Sequence, residues 1–189
     1  MSSIILKFRS LFFIFPQKTK NKKKKKQAFC FLQFSSDVSM VCFRYGSCAT
    51  PQDFEMYAPD ASFEDPLMCA IGLQQIKSAF YSLSKVFSEC KIVEYSVKEN
   101  EISPGKQEIL IDNKQQYKFL GRNIDMISLI KLNVENGKIV RHEDWWDKKP
   151  LWNRETVKLP LAGRIMELTR RGSMLATHAM MRFGKDPNM

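Results

Sequence analysis

Leu73, Ile76, Phe80, Leu83 and Phe87 recur at spacings of three and four, which predicts one apolar face of a helix opening just after Gly72. Gln74, Lys77, Ser78 and Lys85 fall on the other sides of that helix. Beyond it the period drops to two. Residues 92–97, 108–112, 126–134 and 138–146 are rich in β-branched and aromatic side chains and read as strands. Ser103-Pro104-Gly105 and Asp112-Asn113 break the run, and Asn136-Gly137 is a hairpin turn joining the last two strands. Strands joined by hairpins form an antiparallel meander, and a helix packed across it gives an α+β sandwich.

Upstream, Thr50-Pro51 with Asp53 and Glu55 close behind predicts a helix start of about two turns before Pro59. Ala61-Ser62-Phe63-Glu64 reads as a short strand stopped by Asp65-Pro66. Downstream, Leu161, Ile165, Leu168, Gly172, Leu175, Ala179 and Phe183 form one stripe of a long helix. Met166, Met174, Met180 and Met181 lie mostly on its far side, with Arg164, Arg171, His178 and Arg182 between. A helix apolar on two sides packs against two neighbours, here the domain and a second subunit. A basic, Met-rich element for a membrane surface or a partner groove is the alternative.

Charge changes this picture only at the N-terminus. The chain carries +10 overall, but residues 1–36 hold nine Lys or Arg and no acid, leaving +1 for the rest. A near-neutral body gives no reason to expect nucleic acid as a partner. The apolar patch Leu11–Phe15 is much shorter than the ~20 residues of a membrane span, so no transmembrane segment is expected. Residues 1–49 therefore read as a basic tail, either disordered or targeting: compatible with an organelle such as the chloroplast, or through Lys22–Lys26 with the nucleus, in an intracellular protein. Five cysteines, an odd number without paired spacing, read as thiols in a reducing compartment and supply no metal site.

Two segments carry a family resemblance. Tyr57-Ala58-Pro59-Asp60-Ala61-Ser62-Phe63-Glu64-Asp65-Pro66 and Asn136-Gly137-Lys138-Ile139-Val140-Arg141-His142-Glu143-Asp144-Trp145-Trp146-Asp147 resemble the first and last strands of the nuclear transport factor 2-like superfamily. SnoaL-like cyclases, ketosteroid isomerase, scytalone dehydratase and limonene-epoxide hydrolase share that fold. With the Arg- and Met-rich final helix, the pattern is similar to uncharacterised plant proteins of this superfamily. The resemblance implies a cone-shaped α+β fold, a curved antiparallel sheet wrapped on helices, spanning residues 50–150, with a C-terminal amphipathic helical extension over 151–189. Residues 28–49 read poorly as the long helix that closes the cone's mouth in such proteins, so either that helix is degenerate or the segment 161–183 replaces it.

Strand alternation puts Val140, His142, Asp144 and Trp146 on one face and Ile139, Arg141, Glu143 and Trp145 on the other. With the first set inside, a carboxylate and an imidazole sit beneath an indole, an arrangement suited to proton transfer. The resemblance places a base or acid at Asp144, with His142 orienting it or shuttling its proton. It sets Asp112 as a partner carboxylate, though Leu110 stands where the epoxide hydrolases have arginine. The alternative is a solvated strand end, with both tryptophans packed on Pro150–Trp152. Tyr57, Phe63, Tyr95, Tyr117 and Trp146 are the expected cavity lining, and Asp125 is a weaker candidate. The function implied is binding of a small apolar molecule, extending to acid–base isomerase, cyclase or dehydratase chemistry without a cofactor. The alternative is a non-catalytic interaction or dimerisation module, and fold alone does not choose between them.

Overall fold

Gly72 turns the chain from sheet into helix at φ 82°, a conformation that a side chain would disfavour. The computed structural model describes residues 49–153, 156 and 160–187 of the 189, so the expectations for residues 1–48 lie outside the described residues. The elements are β1 (Tyr57–Glu64), β2 (Cys69–Ile71), α1 (Leu73–Val86), β3 (Glu89–Ser103), β4 (Lys106–Phe119), β5 (Arg122–Glu135), β6 (Lys138–Trp146) and α2 (Pro160–Met180). The strands form one curved sheet in the order β2-β1-β6-β5-β4-β3, with the helices packed against it in an α+β cone.

The sheet is mixed rather than purely antiparallel. β1 runs parallel to β6, pairing Phe63 with His142, while every other neighbouring pair is antiparallel. The parallel pairing is long-range in sequence, joining the first strand to the last, and no hairpin signal encodes it. It gives β6 a central position and puts its side chains at the middle of the molecule.

Three local expectations change. The two-turn helix at Thr50 is a single 3₁₀ turn, Pro51–Phe54, in which the Asp53 carboxylate accepts the Thr50 N–H at 2.6 Å. β1 begins at Tyr57 and runs through Pro59, where its pairing with β6 is irregular and the missing N–H costs little. Asp112-Asn113 is no break: β4 continues through it, with Asp112 opposite Leu129 and Asn113 opposite Ser128. The turns at Gly105, Leu120-Gly121 and Asn136-Gly137 all carry positive φ, as tight connections between twisted strands require.

Ile76, Ala79 and Phe80 of α1 face a sheet surface of Ile109, Ile111, Met126, Ile130, Leu132 and Ile139. Each of the Ile, Leu, Met and Phe side chains among them contributes roughly 1.5–3 kcal/mol of burial. α2 packs beside α1 and β2, but through the opposite face from the apolar stripe. Gly163, Arg170, Met174 and Thr177 are buried, whereas Leu161, Ile165, Leu168 and Leu175 are exposed. Arg170 decides this: it pairs with Glu64 at 2.5 Å, so the docking face is the one that holds the ion pair.

Candidate functional site in the cone interior

β4 alternates strictly from Ile109 to Tyr117, and its inward positions are Ile109, Ile111, Asn113, Gln115 and Tyr117. Directly opposite residues on paired strands share a face. Asn113 is thus level with Ser128 of β5 and Trp146 of β6, while Ile111 is level with Ile130 and Asp144. Three strands in this way gather an acid, a hydroxyl, two carboxamides, a phenol and an indole on one buried wall.

Asp144 is 2% exposed. Ser128 Oγ donates to its Oδ1, and Trp146 Nε1 donates to its Oδ2 at 3.2 Å. Both oxygens are therefore held by donors on neighbouring inward positions, which orients the carboxylate. His142, with 0% exposure, lies in a ring of aromatic residues. Its Nδ1 is 2.6 Å from the Tyr57 hydroxyl, and Phe63 meets it edge-on with centroids 5.0 Å apart. A bulge at the β5–β6 pairing puts Ile139 opposite Val134 and His142 opposite Leu132, so Ile139, not Val140, joins the inward set.

Asp65, at the end of β1, adds a second buried acid. Its Oδ1 accepts the N–H groups of Leu67 and Met68 at 2.7 and 2.6 Å. Burial nonetheless pushes its carboxyl up to about 7, against the pull of those two N–H groups; the Asp144 charge adds to the rise and Arg170 opposes it. The Tyr117 phenol is also held well above its ordinary range, by burial first and then by the charges of Asp144, Cys90 and Asp65. Tyr117 donates to Gln115 Oε1, and Asn113 Nδ2 donates to the Ile111 carbonyl at 3.1 Å. Asn113 Oδ1 and Gln115 Nε2 are buried and have no hydrogen-bond partner among the described residues.

The structure brings together Asp144, His142, Tyr57, Phe63, Tyr117 and Trp146, all buried on the inner side, so the β6 end is not a solvated edge. It leaves out three candidates. Asp112 lies on the outer face, one step out of phase with the inward residues, and pairs with Lys148 at 2.5 Å. Tyr95 shares the register of Asn113, but it stands on the edge strand β3 and is 54% exposed. Asp125 is also exposed. Sequence reasoning missed Asn113, Gln115, Ser128 and Asp65. The first two were within reach: they continue the phase of Ile109 and Ile111, which the expected break at Asp112-Asn113 interrupted.

A hollow of about 210 Å³ opens on the outer face, lined by Lys131, Asn133, Arg141, Glu143 and Trp145 with Leu151, Asn153 and Thr156. Its charges pair within or beside its own wall, Arg141 with Glu143 at 2.5 Å and Lys131 with Glu108 at 2.7 Å.

An NTF2-like protein from Anabaena variabilis matches the structure with a TM-score of 0.51 at 16% identity, over 62% of this chain and 95% of its own. A hexachlorocyclohexane dehydrochlorinase from Novosphingobium barchaimii gives 0.54 at 9% identity, over 59% and 82%. The chain has the NTF2-like fold. No family model matches it, and no curated protein does. In the NTF2-like fold the site described here is the inner face of the curved sheet, with α1 laid across it. Among the described residues, no helix is long and apolar enough to cross a membrane.

Proposed function

We propose that residues 50–150 form a binding domain for a small, largely apolar molecule, and that Asp144 acts on that molecule as an acid–base residue. The observation that carries this is the pair of unsatisfied carboxamide atoms, Asn113 Oδ1 and Gln115 Nε2, on the same inner wall as the oriented Asp144. Leaving a buried polar atom unpaired costs about 1–3 kcal/mol, a penalty with no return to the fold itself. A ligand that offers one donor and one acceptor would remove it. Apolar walls from Phe63, Phe80, Ile130 and Trp146 would hold the remainder of such a molecule.

In the reaction, Asp144 takes a proton from a carbon next to a carbonyl whose oxygen accepts from Gln115 Nε2–H. Asp65, neutral below about 7, is the group able to return a proton at a second position. Proton removal by Asp144 and return by Asp65 leave the substrate isomerised; where Asp65 instead protonates a leaving hydroxyl, water departs and the step is a dehydration. Ser128 and Trp146 position Asp144, while His142 is tied to Tyr57. One protein of this fold, the Novosphingobium dehydrochlorinase, is named for an apolar molecule. No cofactor enters this scheme.

The test is retention of small molecules from a cell extract by the purified chain, read by native mass spectrometry, in wild type and Asp144→Asn. A molecule retained by both and converted only by the wild type is the expected result. No retained molecule in either form would remove the reading.

A further inference from the structure

The outward face of α2 has a regular spacing of its own. Leu161, Ile165, Leu168, Gly172, Leu175 and Ala179 follow one another at intervals of 4, 3, 4, 3 and 4 residues. That is the a/d seam by which two helices pack along their length. All six positions are exposed, with the Ile and three Leu side chains between 51% and 75% accessible. Gly163, Arg170, Met174 and Thr177, on the opposite side, are already occupied in docking α2 to its own domain. The seam plays no part in holding the fold, nor in the interior around Asp144.

Gly172 adds a second, independent observation. It sits in the middle of a 21-residue helix, where glycine is unfavourable compared with alanine. A Cβ placed there would meet nothing within 4 Å, so nothing within the chain requires its absence. On a seam, a missing side chain allows two helix backbones to approach closely.

We infer that the outward face of α2 is a self-association surface, on which α2 of a second copy of this chain packs. Three features favour a second copy. The four large side chains expose roughly 450 Å² of apolar surface, the size of the largest patch on a typical monomer. Two such faces with their flanks bury roughly 1,200 Å² or more in total, the scale at which specific interfaces begin. The flanks also suit a self-pair. On one side stand Ala162, Thr169 and Ala176, small residues among which the Thr169 hydroxyl is already bonded to the Ile165 carbonyl at 2.8 Å. On the other, Arg171 is turned back onto the Cys69 carbonyl and Gln75, and His178 onto Ser78. Like-charge repulsion across the two-fold is then confined largely to Arg164 and, beyond the end of α2, Arg182.

The experiment is sedimentation equilibrium on the full chain. The wild type is expected at twice the 22.0 kDa chain mass. Leu168→Glu is expected at the single mass, with an unchanged circular dichroism spectrum, because that side chain is 69% exposed and the fold does not use it. Gly172→Ala separates a seam from a merely sticky patch: it is expected to weaken the dimer about tenfold or more while raising the melting temperature of the Leu168→Glu monomer. A wild type that stays monomeric well above micromolar concentration overturns the inference, and so does a dimer that survives Leu168→Glu.

Discussion

Arg170 of α2 donates to Glu64 of β1 at 2.5 Å with only 3% of its side chain exposed. Its other contacts are backbone carbonyls, Trp152 at 3.4 Å and Met68 at 3.5 Å. One buried cation thus joins the final helix, the first strand and the segment leading into α2. Removing it leaves Glu64 with only its longer contact to Arg141 at 3.5 Å, so Arg170→Ala should cost about 3 kcal/mol in urea unfolding. Arg170→Met with Glu64→Gln, which removes both charges, should recover much of that loss.

Asp65 gives the protein a pH signature. Its carboxyl is raised from 3.8 to about 7 in the fold, chiefly by burial. Between those values the folded state binds the proton that the unfolded chain has released, so this group lowers stability as pH rises from about 4 to about 7. Asp65→Asn keeps an oxygen for the Leu67 and Met68 N–H groups but cannot ionise. The variant should therefore gain on the wild type across that range, by up to roughly 4 kcal/mol at neutrality. Melting temperatures of both proteins at pH 4, 5.5 and 7, values spaced about evenly over the window, provide the check. A difference that stays constant with pH would contradict it.

Gln115 and Tyr117 offer a trade between stability and binding. Tyr117→Phe with Gln115→Met removes both partners of one buried hydrogen bond together with the unpaired Nε2. Replacing both partners by apolar groups is close to neutral, and losing an unsatisfied donor favours the fold by about 1–3 kcal/mol. The double variant should be at least as stable as the wild type in thermal unfolding. Retention of the extract-derived molecule should drop sharply.

Gly184 closes the C-terminal end against α1. Its φ is 73°, and a Cβ there would collide with the Gln74 carbonyl oxygen. Just beyond, Asp186 accepts from Lys77 at 2.9 Å and from the Tyr81 hydroxyl at 2.7 Å. Gly184→Ala should pull this clasp off α1 and lower stability by about 1–3 kcal/mol. Limited proteolysis should then cut near Lys185 at a rate that leaves the wild type intact.

The helix α1 was legible because Leu73, Ile76, Phe80, Leu83 and Phe87 repeat with the helical period, a property of neighbours in sequence. The hairpin at Asn136-Gly137 was legible because two adjacent positive-φ residues are chemically costly elsewhere. The inward set of β6 was half legible: alternation correctly grouped His142, Asp144 and Trp146, but the bulge exchanged Val140 for Ile139. A bulge leaves no mark in composition.

For the rest, sequence alone determined which residues could share a face, and tertiary structure decided which face was inside. Asp112 and Asn113 are adjacent, both polar, and equally fit for a strand; only the pairing of β4 with β5 sends one outward to Lys148 and the other into the interior. The stripe of α2 is the clearest case. Its apolar pattern promised a buried face, yet the ion pair between Arg170 and Glu64 turned the opposite side inward and left Leu161, Ile165, Leu168 and Leu175 in solvent. A local period follows from the geometry of one element, whereas the choice of side depends on partners elsewhere in the chain, as far as 106 positions away for Arg170 and Glu64, whose contacts exist only once the chain has folded.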